Sequence, residues 1–193
     1  MITEYHFPTL IYIKDIPNVS QLNQDLEQKI LQWSQQNKGV EKTNAGGWHS
    51  KTDMNKKEEY NVLTKQLFNM QEEIYQKEHL DLKPVLGNMW ANINYPGNFN
   101  RPHIHPNSLF SGVYFVKTPQ KSGNLMVYDP RPGIQMAMPS RKKGALPPSS
   151  WREVHYEPIA GRCIMFPAWL WHEVKENKSN DIRISVSFNF LQR

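Results

Sequence analysis

The chain has 193 residues, 38% of them hydrophobic, and carries a formal net charge of +5. That is enough apolar mass for one ordinary core, and length alone makes a second independent unit an extravagance, so 1–193 reads as a single domain. No apolar stretch approaches the roughly 20 residues that cross a bilayer, the start Met1-Ile2-Thr3-Glu4-Tyr5 lacks the features of a secretory signal, and the lone Cys163 excludes a disulfide framework; a soluble, cytoplasmic protein is the expectation.

The first part of the chain reads as helical support, over about 18–80. An apolar run from Phe7 to Ile13 and the turn-like Asp15-Ile16-Pro17-Asn18 lead to Leu22, Leu26, Ile30 and Trp33 at near-helical spacing, with Ser20 as the expected N-cap. Gly39 and the Gly46-Gly47 pair interrupt the pattern and leave Trp48 and His49 in a loop or short strand. A second helix is predicted through Leu63, Leu67, Met70 and Ile74.

The pattern changes over about 87–191, where short aromatic and β-branched runs alternate with Gly, Pro and Asn. The runs are Met89 to Tyr95, Leu109 to Val116, Asn124 to Tyr128, Val154 to Ile159, Arg162 to Phe166 and Ile182 to Phe190. Many short strands so spaced predict a mainly β fold, a sandwich or jelly roll, with the helices packed on one outer face. Cys163 reads as a small buried hydrophobe, and Met126, Met136, Met138 and Met165 as core or loop filling. The net charge permits nucleic acid or an anionic small molecule and selects neither. It is densest from Pro130 to Trp151, where Arg131, Arg141, Lys142 and Lys143 meet no acid; that stretch is either a solvated loop or a substrate-steering one.

Three of the seven histidines carry the chemistry. His103-Ile104-His105 puts two imidazoles on one side of an extended segment, and His172 follows an apolar strand in Phe166-Pro167-Ala168-Trp169-Leu170-Trp171-His172. Three neutral imidazoles suit a first-row divalent metal and leave coordination positions open; iron would give oxygen chemistry and zinc hydrolysis. A hydrolase also needs a general base, for which Glu173 and His155 are available but no protease motif places them. Trp169 and Trp171 read as core packing, with one of them a candidate for the pocket wall. On the last run, Arg183 and Ser185 alternate with Ile184 and Val186 and so share the opposite face. An inward guanidinium and hydroxyl are costly unless they meet an acceptor, and a small dicarboxylate would satisfy both; an Arg at a surface edge or paired with a protein carboxylate is the plainer alternative.

From Asn88 to Phe190 these residues resemble the Fe(II)- and 2-oxoglutarate-dependent oxygenases, in their prolyl-hydroxylase-like branch, and most of all the small oxygenases of marine bacteria and phages. The pattern there is a His-x-Asp/Glu pair, a distant His and a late Arg-x-Ser; His103, His172, Arg183 and Ser185 match it, as do the Tyr95-Pro96-Gly97 turn and Ser122-Gly123-Asn124-Leu125. The resemblance implies a cupin-like double-stranded β-helix, an Fe(II) centre on His103, His105 and His172, 2-oxoglutarate and O2 as co-substrates, and hydroxylation coupled to decarboxylation to succinate. It places Arg183 and Ser185 on the far carboxylate of 2-oxoglutarate, Asn92 and Asn94 beside it, and Tyr114 as a further hydrogen bond to that carboxylate. The departure is His105, which stands where the pattern has a carboxylate and removes one negative charge from the metal's surroundings. Asp129 in Val127-Tyr128-Asp129-Pro130 could supply the missing carboxylate but is more simply a turn former.

Two other readings fit the same residues: a three-histidine cupin-type dioxygenase or isomerase that does not use 2-oxoglutarate, and a non-enzymatic binding protein whose three histidines do not meet. The expected partner is a small-molecule or peptide substrate. No membrane contact is expected, and although the superfamily includes nucleobase demethylases, no aromatic-basic motif specifies nucleic acid. An exposed sheet edge offers a route to a homodimer, without naming an interface.

Overall fold

A computed structural model describes residues 1–81, 83–133, 136, 140 and 142–191. Two antiparallel sheets face one another. The larger has the order β1 (Tyr12–Asp15), β9 (Arg162–Pro167), β6 (Ser108–Lys117), β11 (Arg183–Leu191), β4 (Leu86–Asn94), β3 (Trp48–His49), and the smaller the order β2 (Asn44–Ala45), β5 (Phe99–His103), β10 (His172–Val174), β7 (Leu125–Tyr128), β8 (Glu153–Tyr156). This is the β-rich jelly roll expected from the sequence, and each of the six predicted runs contains a strand. The short β5 and β10 were not predicted, because each holds too few apolar residues to show an alternation.

The helices α1 (Ser20–Gln36) and α2 (Asn61–Lys77) cover the outer face of the larger sheet. Leu26 and Ile30 of α1 and Leu63, Leu67, Met70 and Ile74 of α2 are buried there against Met89, Ala91 and Ile93 of β4 and Ile184, Val186, Phe188 and Phe190 of β11. The expected cap at Ser20 is not made: Val19 precedes the first turn and no side chain caps it. Gly112 on β6 makes room for this core, since a Cβ there would lie 2.4 Å from Phe188 Cζ. A smaller cluster, Val113, Phe115, Leu125, Val127, Ile164, Phe166 and Leu170, fills part of the space between the sheets. Cys163 is buried and free, as expected, and burial raises its thiol's pKa. Met126 and Met165 are also buried, whereas Met136 is exposed and Met138 lies outside the described residues.

Because side chains alternate along a strand, the residues between those outer-face positions point inward. On β11 these are Arg183, Ser185, Ser187 and Asn189, and on β4 they are Asn88, Trp90, Asn92 and Asn94. β4 and β11 pair in register, Arg183 with Asn94 and Ser185 with Asn92, so the inner face of the larger sheet carries a polar ladder opposite the smaller sheet.

Candidate metal centre

His103 closes β5 and His172 opens β10, and the two are direct cross-strand partners. The extended segment stops at His103, so His105 is not brought in by strand alternation as the sequence suggested. It sits just past the strand end, where its backbone N–H donates to Ala168 O at 2.9 Å. The result is nevertheless one cluster: the ligand atoms of His103, His105 and His172 lie within 4.8 Å of one another. That overturns the reading in which the three histidines do not meet.

Two of the three rings are held by backbone carbonyls. His103 Nδ1 donates to Arg101 O at 2.7 Å and His172 Nδ1 to Leu170 O at 2.8 Å, which fixes both tautomers with the Nε2 lone pair free. His105 Nε2 lies 3.3 Å from His172 Nε2. Burial lowers the pKa of all three, to about 4 for His105 and about 3 for His172, so they are neutral imidazoles at pH 7 and ready to ligate. An uncharged set of three nitrogen donors with open positions fits a first-row divalent metal such as Fe(II).

Across the pocket, Ser185 and Asn92 line the wall and Arg183 lies one step further along the same face. Arg183 is 1% exposed and meets no carboxylate among the described residues. Its Nη1 donates to the carbonyls of Ser122, Gly123 and Lys175, while Nε and Nη2 have no partner among the described residues. Gly123, at φ +92°, shapes this cradle, because a Cβ there would lie 2.1 Å from Lys175 O. Burial draws the guanidinium down to about 10, still a full cation at pH 7. A buried cation with two free donors is the arrangement that a carboxylate completes. Both alternatives given for Arg183, surface edge and protein carboxylate, fail on this geometry. Asn94 is buried beside it with Oδ1 unpartnered, and Asn92 donates from Nδ2 to Ser187 Oγ at 3.1 Å while its own Oδ1 is free.

Other expected residues fall elsewhere. Tyr114 points to the opposite side of β6, where its hydroxyl donates to Asn23 Oδ1 of α1 at 2.6 Å and burial raises its pKa; strand alternation puts Val113 and Phe115, not Tyr114, at the pocket. Asp129 is a turn former as read: its carboxylate accepts from Arg131 Nε and Nη2 at 2.9 and 2.7 Å and from the Arg131 backbone at 3.1 Å. That pairing also neutralises one charge of the basic stretch, of which Arg141 lies outside the described residues. Glu173 faces away from its neighbour His172 and accepts from Tyr128 and Lys175, and His155 pairs with Glu153, so neither stands as a base at the cluster. Trp169 and Trp171 are not core: they are 55% and 52% exposed, because the turn between β9 and β10 directs Leu170 inward instead. Sequence reasoning missed Trp90, Ser187, Asn100 and Thr43, all on the pocket wall. Trp90 and Ser187 continue the alternation of Asn92 and Ser185 and were findable; Asn100 and Thr43 come from segments with no such pattern.

The family model described as "Putative 2OG-Fe(II) oxygenase" matches residues 88–189, more than half of the chain. The chain belongs to the 2OG-Fe(II) oxygenases. It is thus an enzyme of the non-haem iron type, in a family whose chemistry is oxidation with Fe(II), 2-oxoglutarate and O2. Solved structures share the fold. A Pseudomonas putida prolyl-4-hydroxylase aligns at a TM-score of 0.68 and 18% identity, over 96% of this chain and 94% of that one. The viral collagen prolyl hydroxylase of Paramecium Bursaria Chlorella virus-1, solved with 2-oxoglutarate, aligns at 0.63 and 15%, over 93% and 94%. The epimerase SnoN from nogalamycin biosynthesis aligns at 0.68 and 14%, over 95% and 77%. Hydroxylases and an epimerase are therefore equally near in fold, which leaves the branch of this oxygenase to its own site. No curated protein matches the chain. Among the described residues no helix is long and apolar enough to cross a membrane.

Proposed function

We propose that this oxygenase hydroxylates a small-molecule or peptide substrate, with His103, His105 and His172 holding Fe(II) and Arg183 and Ser185 holding 2-oxoglutarate. The observation that carries the reading is the pairing of two unsatisfied features on facing sheets: three converging neutral imidazoles, and a buried guanidinium with two donors free. Iron bound there supplies oxygen activation, and the overall reaction balances as substrate, 2-oxoglutarate and O2 giving hydroxylated substrate, succinate and CO2. The protein's own groups orient and exclude. Arg183 Nε and Nη2 present the planar fork that accepts a carboxylate through two parallel hydrogen bonds, and the Ser185 hydroxyl, on the same face, adds a third donor. Asn92 Oδ1 is free to accept from a bound hydroxyl or amide. Phe115, Leu125 and Phe166 add an apolar side to a wall that also carries Thr43, Asn100 and Ser187, and that side limits water at the reacting centre.

His105 in place of a carboxylate leaves the metal's protein ligands uncharged, and this favours a second reading, a three-histidine dioxygenase or isomerase that does without 2-oxoglutarate. Succinate release separates the two. Anaerobically iron-loaded protein is given 2-oxoglutarate and O2 with and without a panel of prolyl peptides and hydroxyl-bearing metabolites, beside Arg183→Ala and His172→Ala. Succinate from the parent and from neither variant is the expected result. Succinate from Arg183→Ala at the parent rate sinks the assignment of Arg183, and iron-loaded parent that consumes O2 on a substrate without succinate selects the second reading.

A further inference from the structure

Backbone carbonyls aim two of the three clustered imidazoles; the third lacks that restraint. His103 and His172 each donate from Nδ1 to the carbonyl two residues back. His105 has no such bond: its one ring hydrogen bond among the described residues is to His172 Nε2, within the cluster itself. It also stands beyond the end of β5, so no ladder fixes its backbone on both sides. A ligand with neither restraint would be free to turn, and its place at the cluster has to come from packing.

That packing is aromatic: the His103 and His172 rings lie 4.9 and 5.1 Å from the His105 ring inside the cluster, and Trp90 meets it from outside. The Trp90 ring lies 5.8 Å from the His105 ring at 47°, and 5.5 Å from the His49 ring at 11°, a parallel stack. Trp90 is 8% exposed and His49 4%. His49 is itself well anchored: it pairs with Asn92 in the β3–β4 ladder, its Nδ1 donates to Ser50 O at 2.6 Å, and its carbonyl accepts from Val40 N at 2.8 Å. The order of restraint therefore runs from a hydrogen-bonded His49, through a stacked indole, to a ligand whose ring has no hydrogen bond outside the cluster among the described residues. Offset and tilted contacts between planar rings prefer set separations and angles, so they restrain ring orientation as well as position.

We propose that Trp90, seated on His49, is the positioning residue that aims His105 at the metal, and that aromatic packing here replaces the carbonyl that orients His103 and His172. The inference rests on the three-histidine metal reading above. Outer partners of a ligating histidine are commonly worth 10- to 100-fold in metal affinity, which sets the size of the expected effect at about that range.

The test is a titration of metal-free, full-length protein with Co(II), read by its visible ligand-field spectrum and by affinity, with folding of each variant checked by circular dichroism. Parent and Trp90→Phe are expected to bind with the same spectrum. Trp90→Ala is expected to bind about 10- to 100-fold more weakly, with a spectrum moved toward that of His105→Ala. His49→Ala should move in the same direction by less, and His49→Phe, which restores a ring to stack on, should recover the parent spectrum. Parent affinity and spectrum in a folded Trp90→Ala overturn the inference alone; should that variant not fold, a parent spectrum in His49→Ala does the same. Failure of the parent to take up Co(II), or an identical spectrum for parent and His105→Ala, overturns the metal reading instead.

Discussion

The two faces of the larger sheet are made by the same strands and could hardly differ more. On β11, Ile184, Val186, Phe188 and Phe190 turn outward into the helix-covered core, each of them fully buried, while Arg183, Ser185, Ser187 and Asn189 turn inward. On β4 the split is Met89, Ala91 and Ile93 against Asn88, Trp90, Asn92 and Asn94. The outer face gains stability by removing apolar surface from water. The inner face buries a cation and several amide groups, some of them unpartnered, which is unfavourable for the free protein. The contrast teaches that stability and chemistry are separated here by a single step along the chain, so neighbouring substitutions should fail in different ways.

The largest effect should come from the outer face. Phe188→Ala leaves a cavity under both helices and is expected to lower stability by about 3–5 kcal/mol in chemical denaturation. Its folded fraction should still bind Co(II) as the parent does; loss of metal binding in molecules that remain folded would break the proposed separation of the faces.

The next effect belongs to the inner face and depends on pH. His49, His103, His105 and His172 are held neutral by burial, their pKa values lowered from 6.5. The unfolded chain therefore binds more protons than the folded one below about pH 6.5, so stability is complete above that pH and is lost as pH falls toward about 4 for His105 and about 3 for His172. Metal-free protein should show a denaturation midpoint that falls from pH 7.5 to pH 5, with a shallower slope in His172→Phe. A pH-independent midpoint would show that these imidazoles are not buried.

Smaller in energy and sharper in kind is Arg183→Lys. It keeps a buried cation able to donate to the surrounding carbonyls but loses the planar fork. We expect KM for 2-oxoglutarate to rise by about 10- to 100-fold, corresponding to about 1.5–3 kcal/mol of charge-assisted hydrogen bonding, with little change in the denaturation midpoint. An unchanged KM would remove Arg183 from the co-substrate site. The smallest effect is that of Tyr114→Phe, which deletes the bond to Asn23 and should cost about 1 kcal/mol of stability while KM for 2-oxoglutarate stays put. A raised KM would restore Tyr114 to the role that the family resemblance first gave it.

Much of this could be read without coordinates. Alternation on the last strand separated Arg183 and Ser185 from Ile184 and Val186, and helical spacing located both helices to within a few residues. Alternation taken a little further would also have set Tyr114 apart, since it shares the parity of Val116 and not that of Val113 and Phe115, whose side chains line the pocket. Trp169 and Trp171 misled because bulk was taken for burial, whereas in a turn the direction of the chain decides which residue points inward.

By itself, then, the sequence determined what is periodic or chemically singular: the β-rich class, the helical cover, the three imidazoles and the inward guanidinium. Those follow from local geometry, in which side chains repeat every second residue in a strand and about every fourth in a helix. Only the tertiary structure decided that His172 stands opposite His103 across β10 and β5, that His105 joins them from beyond a strand end, and that Trp90 links it to His49. Such meetings depend on which strands become neighbours, and that is set by the packing of the whole core and not by any stretch of chain short enough to carry a pattern.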